Sequence, residues 1–172
     1  MPGVRLGTIA TLAPSLRHLS ISDSVLDWED ERRWVRLLPR LETCHLMRVT
    51  YKGGSERLVV SCLSVRELHM EAAQGLSDDW ITEMVEDGRL ERLEELVVRG
   101  SHCSLGICSL KALTGLPSLR RLGDLQDWAG LRTGHRVELG RLMQGWAGTM
   151  YDDCIHTERT LMAGLNYTEF NY

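Results

Sequence analysis

His45 and His69 are the residues whose type and spacing come closest to chemistry. Each is the fifth residue of a six-residue stretch, Leu41-Glu42-Thr43-Cys44-His45-Leu46 and Val65-Arg66-Glu67-Leu68-His69-Met70, and the carboxylates Glu67 and Glu71 flank the second. Imidazole and carboxylate groups bind zinc when three or four of them converge on one point. On neighbouring strands these side chains would stand side by side instead, so no metal site is expected. A histidine pair on a binding face would rather weaken binding as the pH falls, because the imidazole titrates close to neutrality.

Two further sets of residues invite a chemical reading. Cys103 and Cys108 enclose four residues, and His102 precedes the first of them. The spacing is not the two-residue gap of a zinc ribbon. A sequence neighbour does not orient a base onto a thiol, so both cysteines are read as buried structural residues. Asp-Trp occurs as Asp27-Trp28, Asp79-Trp80 and Asp127-Trp128, each near an expected helix start. That placement favours a capping carboxylate followed by a core-facing indole over an exposed hot spot. The chain has no phosphate-binding loop, no Gly-x-Ser-x-Gly and no His-Glu-x-x-His. No catalytic residue and no cofactor is therefore expected.

What must position the histidines is a recurring L-x-x-L-x-L pattern. Its clearest copy is Leu93-Glu94-Glu95-Leu96-Val97-Val98, and the others begin at Leu16, Leu41, Val65 and Leu119, at intervals of 25, 24, 28 and 26. A period in the twenties is the mark of stacked repeats. Three copies are entered through proline: Ala13-Pro14-Ser15-Leu16, Leu38-Pro39-Arg40-Leu41 and Leu116-Pro117-Ser118-Leu119. Proline fixes φ and lacks a donor, which suits the turn that feeds a strand.

Over residues 12–125 the chain resembles leucine-rich repeats of the longer intracellular type. The resemblance implies an α/β leucine-rich-repeat solenoid of about five repeats, with a parallel concave sheet, convex helices and a helical C-terminal cap. Cys44 and Val65 stand where the family has leucine, Asp124 replaces the last apolar residue, and the family's asparagine after the strand is not evident. Asp124 is taken to mark the fraying or end of the array. Residues 1–127 are assigned to the repeats and 128–172 to the cap and tail, while residues 1–12 read as the tail of a preceding repeat.

In that architecture alternate strand residues face outward, in three columns. One holds His18, Thr43, Glu67, Glu95 and Arg121. The central one holds Ser20, His45, His69, Val97 and Gly123. The third holds Ser22, Met47, Glu71, Arg99 and Leu125. Such a solvent-facing sheet is the default binding surface of a solenoid, so a protein partner is expected there. The residues taken as its contact set are His18, Ser20, Thr43, His45, Met47, Glu67, His69, Glu71, Glu95, Val97, Arg99 and Arg121.

Between these strands the pattern predicts helices over residues 27–38, 77–86 and 105–116. Ser77 is the candidate cap of the second, Asp78 and Asp79 load its first turn, and Gly88 follows its end. Residues 51–54 read as a turn, and 55–64 as either strand or helix. Trp128, Leu131, Val137, Leu139, Leu142, Met143 and Trp146 have the spacing of an amphipathic helix.

The 172 residues suffice for one domain with a substantial core. A net charge of −4 does not suit nucleic acid. The apolar runs are too short to cross a bilayer, so no membrane association is expected. Five cysteines, an odd number, point to reduced thiols in the cytoplasm or nucleus. The spacing looks most like the repeat region of F-box proteins, which implies a non-catalytic interaction module that selects substrates for a ubiquitin ligase. The alternative is a free-standing scaffold or inhibitor that clasps one partner, of the ribonuclease-inhibitor type.

Overall fold

The structure is a computed structural model that describes residues 3–27, 38–52, 64–71, 76–100, 104–131 and 135–151. It is an α/β fold with parallel β-sheet flanked by helices. Among the described residues, six strands form the main sheet: β2 (His18–Ser22), β4 (Thr43–Met47), β6 (Glu67–Glu71), β7 (Glu95–Arg99), β8 (Arg121–Gly123) and β9 (Thr149–Tyr151), in that spatial order. Every pairing is parallel. Three short strands, β1 (Gly3–Arg5), β3 (Val25–Asp27) and β5 (Thr50–Lys52), make a second parallel sheet.

The strands arise from alternation. Leu19, Ile21, Cys44, Leu46, Leu68, Met70, Leu96, Val98 and Leu122 point into one core, and all but the half-buried Leu19 are buried. Full burial of one such side chain stabilises the fold by about 1.5–3 kcal/mol. Cys44 fills its leucine position as a small hydrophobe, fully buried. The starts of β4, β6, β7 and β8 are held by the same fork. The Glu42 and Thr43 amides donate to the Arg17 carbonyl at 2.8 and 3.0 Å, and the forks from 66/67 to Glu42, 94/95 to Arg66 and 120/121 to Glu94 repeat it.

Among the described residues, four α-helices flank the sheet: α1 (Leu6–Leu12), α2 (Asp78–Glu86), α3 (Ile107–Thr114) and α4 (Arg136–Gly145). As expected, Ser77 caps α2: its hydroxyl accepts from the Trp80 amide at 3.4 Å, and Asp78 and Asp79 lie in the first turn. Gly88 follows with φ +69°, a left-handed conformation that suits glycine. Asp78 also reaches the next helix. Its Oδ1 accepts from the Gly106 amide at 2.7 Å, the Ser109 amide at 3.1 Å and the Ser109 hydroxyl at 2.5 Å, so one carboxylate ties α2 to the start of α3. Gly106 in turn bridges to Gly130, where an added Cβ would lie 2.7 Å from the Leu105 carbonyl oxygen. The close backbone approach therefore requires glycine at that point.

Several expectations need correction. Residues 51 and 52 belong to β5 instead of a turn, and Asp27 ends β3 instead of opening a helix. These strands escape a periodicity search because three residues hold barely one alternation. Residues 3–12 form a strand and a helix, which leaves their reading as the tail of a preceding repeat uncontradicted. The sheet does not end at Asp124: that carboxylate is fully buried against Arg99, and β9 pairs with β8 beyond it. The segment expected as a helical cap thus supplies α4 and then a strand. On α4, Leu139, Leu142 and Met143 pack inward with Trp146 beyond, but Val137 is 69% exposed because it falls on the opposite face. The indoles of Trp80 and Trp128 are buried, as expected. Residues 28–37, 53–63 and 152–172, with Trp28, Cys62 and Cys154, lie outside the described residues, as do His102 and Cys103.

Candidate functional site

The pairing register sets the three columns. His18, Thr43, Glu67, Glu95 and Arg121 align across five strands and continue to Thr149. Ser20, His45, His69, Val97 and Gly123 align likewise, continuing to Tyr151. Ser22, Met47, Glu71 and Arg99 align across four strands. Leu125 does not join them: β8 stops at Gly123, and Leu125 turns into a 3-10 helix and packs against the core.

The columns are not uniformly solvent-facing, as the sequence pattern had suggested. His18, Ser20 and Met47 are exposed, Thr43, His45, Glu67, His69, Glu71 and Arg99 half-buried, and Arg121 exposed. Glu95 and Val97 are buried, at 6% and 2% exposure. Glu95 is closed over from both sides: His69 Nε2 donates to its Oε1 at 3.1 Å, and Arg121 pairs with its Oε2 at 2.5 Å. An ionised carboxylate only accepts, so the proton of a neutral His69 resides on Nε2. Val97 sits between Glu95 and Arg99 on its own strand and beside His69 in register.

His45 and His69 stack, with ring centroids 4.2 Å apart and planes 8° from parallel. His45 Nε2 is buried without a hydrogen-bond partner among the described residues. Parallel rings do not present nitrogens to a common point. Among the described residues, no group of three or more His, Cys, Asp or Glu side chains is placed to hold a metal ion. Burial, then the charge of a protonated His45, pushes the His69 imidazole below its ordinary range, and Glu95 opposes the shift only in part. Burial and the stack therefore favour uncharged His69.

The two charges of the third column, Glu71 and Arg99, are compensated by residues just past the strands. Arg48, which follows β4, pairs with Asp23 at 2.7 Å and with Glu71 at 3.6 Å. Arg99 pairs with the buried Asp124. Asp23, Arg48 and Asp124 each stand one residue past a strand with φ between +50° and +57°, and Gly100 holds the same place after β7 with φ +99°. Aspartate tolerates this left-handed conformation better than most residues. Sequence reasoning took Asp124 only as a failed leucine. The signal that finds it is its 25-residue spacing from Arg99, the same as that of Asp23 from Arg48.

Cys108 is exposed, contrary to expectation: α3 buries Ser109, Leu110 and Leu113, and Cys108 falls outside that stripe. Comparison of the sequence with protein-family models and with curated proteins gives no match. No helix among the described residues is long and apolar enough to cross a membrane.

Proposed function

We propose that this chain is a leucine-rich-repeat solenoid that acts as a non-catalytic protein-interaction module through the polar face of its main sheet. The observation that carries the reading is the in-register alignment of side-chain columns, two over five strands and a third over four, above an opposite face that is almost wholly apolar. Parallel strands fix the lateral spacing of such columns at about 4.8 Å, so the face offers a pre-ordered array whose entropy is already spent. Its exposed contacts are His18, Ser20, Met47 and Arg121, with the half-buried Glu67 and the histidine stack between them. Glu95 and Val97 support the face from beneath. Repeat spacing further suggests the substrate-recognition part of an F-box-type ubiquitin ligase, working in the cytoplasm or nucleus.

The test is a partner identified by crosslinking from the sheet face and rebuilt from purified components. Met47→Glu and Glu67→Lys should weaken that complex at least tenfold while thermal unfolding stays nearly unchanged; the surface is the wrong one if affinity survives both. Co-purification with a ligase adaptor addresses the narrower reading. Its failure would leave a scaffold or inhibitor that clasps one partner.

A further inference from the structure

The rim where the strands begin carries an ordered charge pattern. The residue before each of five successive strands is Arg17, Glu42, Arg66, Glu94 and Arg120, brought into line by the backbone forks that join their carbonyls. Two positions earlier the residues are Ser15, Arg40, Ser64, Arg92 and Ser118. Wherever the inner row has glutamate, the outer row has arginine, so every rung bears one guanidinium. Along this rim five arginines meet two glutamates, in a chain whose net charge is −4.

The glutamates are already engaged. Arg17 pairs with Glu42 at 3.6 Å and Arg66 with Glu94 at 3.3 Å. Arg40 and Arg92 are exposed and have no ion-pair partner among the described residues. Ser64 donates to the Pro39 carbonyl at 2.6 Å and holds the two rungs together. A cavity of about 260 Å³ opens here, lined by Arg17, Arg40, Arg66 and Arg92 with Glu42 and Ser64.

We infer that this arginine-lined rim cavity binds a phosphate monoester, gripped between Arg40 and Arg92 over Arg66. Neighbouring rungs are about 4.8 Å apart, so Arg40 and Arg92 start about 10 Å apart and can close on one group from two sides. The two forks of Arg40 and Arg92, with the Glu94-paired Arg66 between them, suit an acceptor with more than two oxygens. A phosphate monoester has three, with a charge of about −1.5 to −2 at neutral pH, whereas a carboxylate has two oxygens and one charge. Arginine stays protonated and presents its donors in a plane, which suits this geometry better than lysine would. The site does not depend on what the sheet face binds. A free phosphate ester and a phosphorylated side chain share this chemistry.

The experiment is a calorimetric titration of the full chain at low ionic strength with inorganic phosphate, a phosphoserine peptide and the same peptide unphosphorylated. Saturable one-to-one binding of phosphate and phosphopeptide is expected. It should weaken at least fivefold in Arg40→Gln and in Arg92→Gln, more in the double variant, and less than twofold in Arg141→Gln, which removes the same charge from α4. Circular dichroism of each variant verifies the fold, and a double Arg→Lys variant keeps the charge while losing the fork. A phosphopeptide at least tenfold tighter than phosphate assigns the site to a phosphorylated side chain, and equal affinities assign it to a free phosphate ester. Absence of saturable binding, equal binding of the unphosphorylated peptide, or equal weakening by Arg141→Gln would overturn the inference.

Discussion

Two regions of the main sheet, one toward each end, use the same parts to different effect. At the β2–β4 end, Asp23 and Arg48 pair across 25 residues with both side chains in solvent; at the β7–β8 end, Arg99 and Asp124 pair across the same interval with the carboxylate fully buried. The strands differ in parallel. β2 alternates between exposed and buried, whereas β7 is buried at four consecutive residues, Glu95 to Val98. One end is a surface decorated with charge. At the other, charge has been taken into the structure and must be matched there. Spacing along the chain sets which residues meet, while burial sets what the meeting is worth.

The comparison is most easily broken at Asp124. Asp124→Asn keeps the shape and the tolerance of left-handed φ but leaves Arg99 without its buried counter-charge. It should cost about 3 kcal/mol, which in a chain of this size lowers the melting temperature by about 6–12 °C. A loss no larger than that of an exposed pair would erase the distinction. Next in size is Asp78→Ala. It removes the acceptor of three hydrogen bonds and strands the buried Ser109 hydroxyl, at about 2 kcal/mol. Hydrogen exchange should show α3 opening before the strands do; uniform loss of protection would mean the two helices are not coupled through this carboxylate.

The histidine stack lies between the two ends and gives a smaller, pH-bound effect. His69 binds its proton less readily in the folded chain than in the unfolded one. Stability is thus greatest above the ordinary imidazole range and declines as the pH drops through it toward the lowered folded value. Melting curves between about pH 7.5 and pH 5 should show that decline, and His69→Gln should flatten part of it. An unchanged slope in the variant would remove His69 as its source. Smallest is Asp23→Asn, the mirror of the first substitution. With both partners in solvent its effect on melting should fall within the error of the measurement, and a clear drop would show that the exposed pair also holds the strand end.

Much of the sheet was legible in the chain. The starts of β4, β6, β7 and β8, the Ser77 cap and the inward turn of Trp80 and Trp128 follow from alternation, capping chemistry and apolar volume, all of which act over a few residues. The small strands β1, β3 and β5 were not legible, because their residues alternate too briefly and their pairing partners lie 22 to 25 residues away. The candidate site was legible in its rows and illegible in its depth. The pattern placed His45 beside His69 and Glu67 beside Glu95, yet it made Glu95 and Val97 open to solvent, where they are covered. Burial of an outward-facing residue depends on what the flanking strands reach over it, and no local pattern encodes that.

By itself, then, the sequence determined the period, the strand positions and which side chains share a row, since backbone geometry turns a regular spacing into a register without further information. Only the tertiary structure decided which charges are buried, that Asp124 completes Arg99 instead of ending the sheet, and that Asp78 caps a helix in the following unit. Those outcomes rest on contacts between residues 25 to 31 positions apart, and their energies depend on solvent exclusion that exists only once the chain is folded.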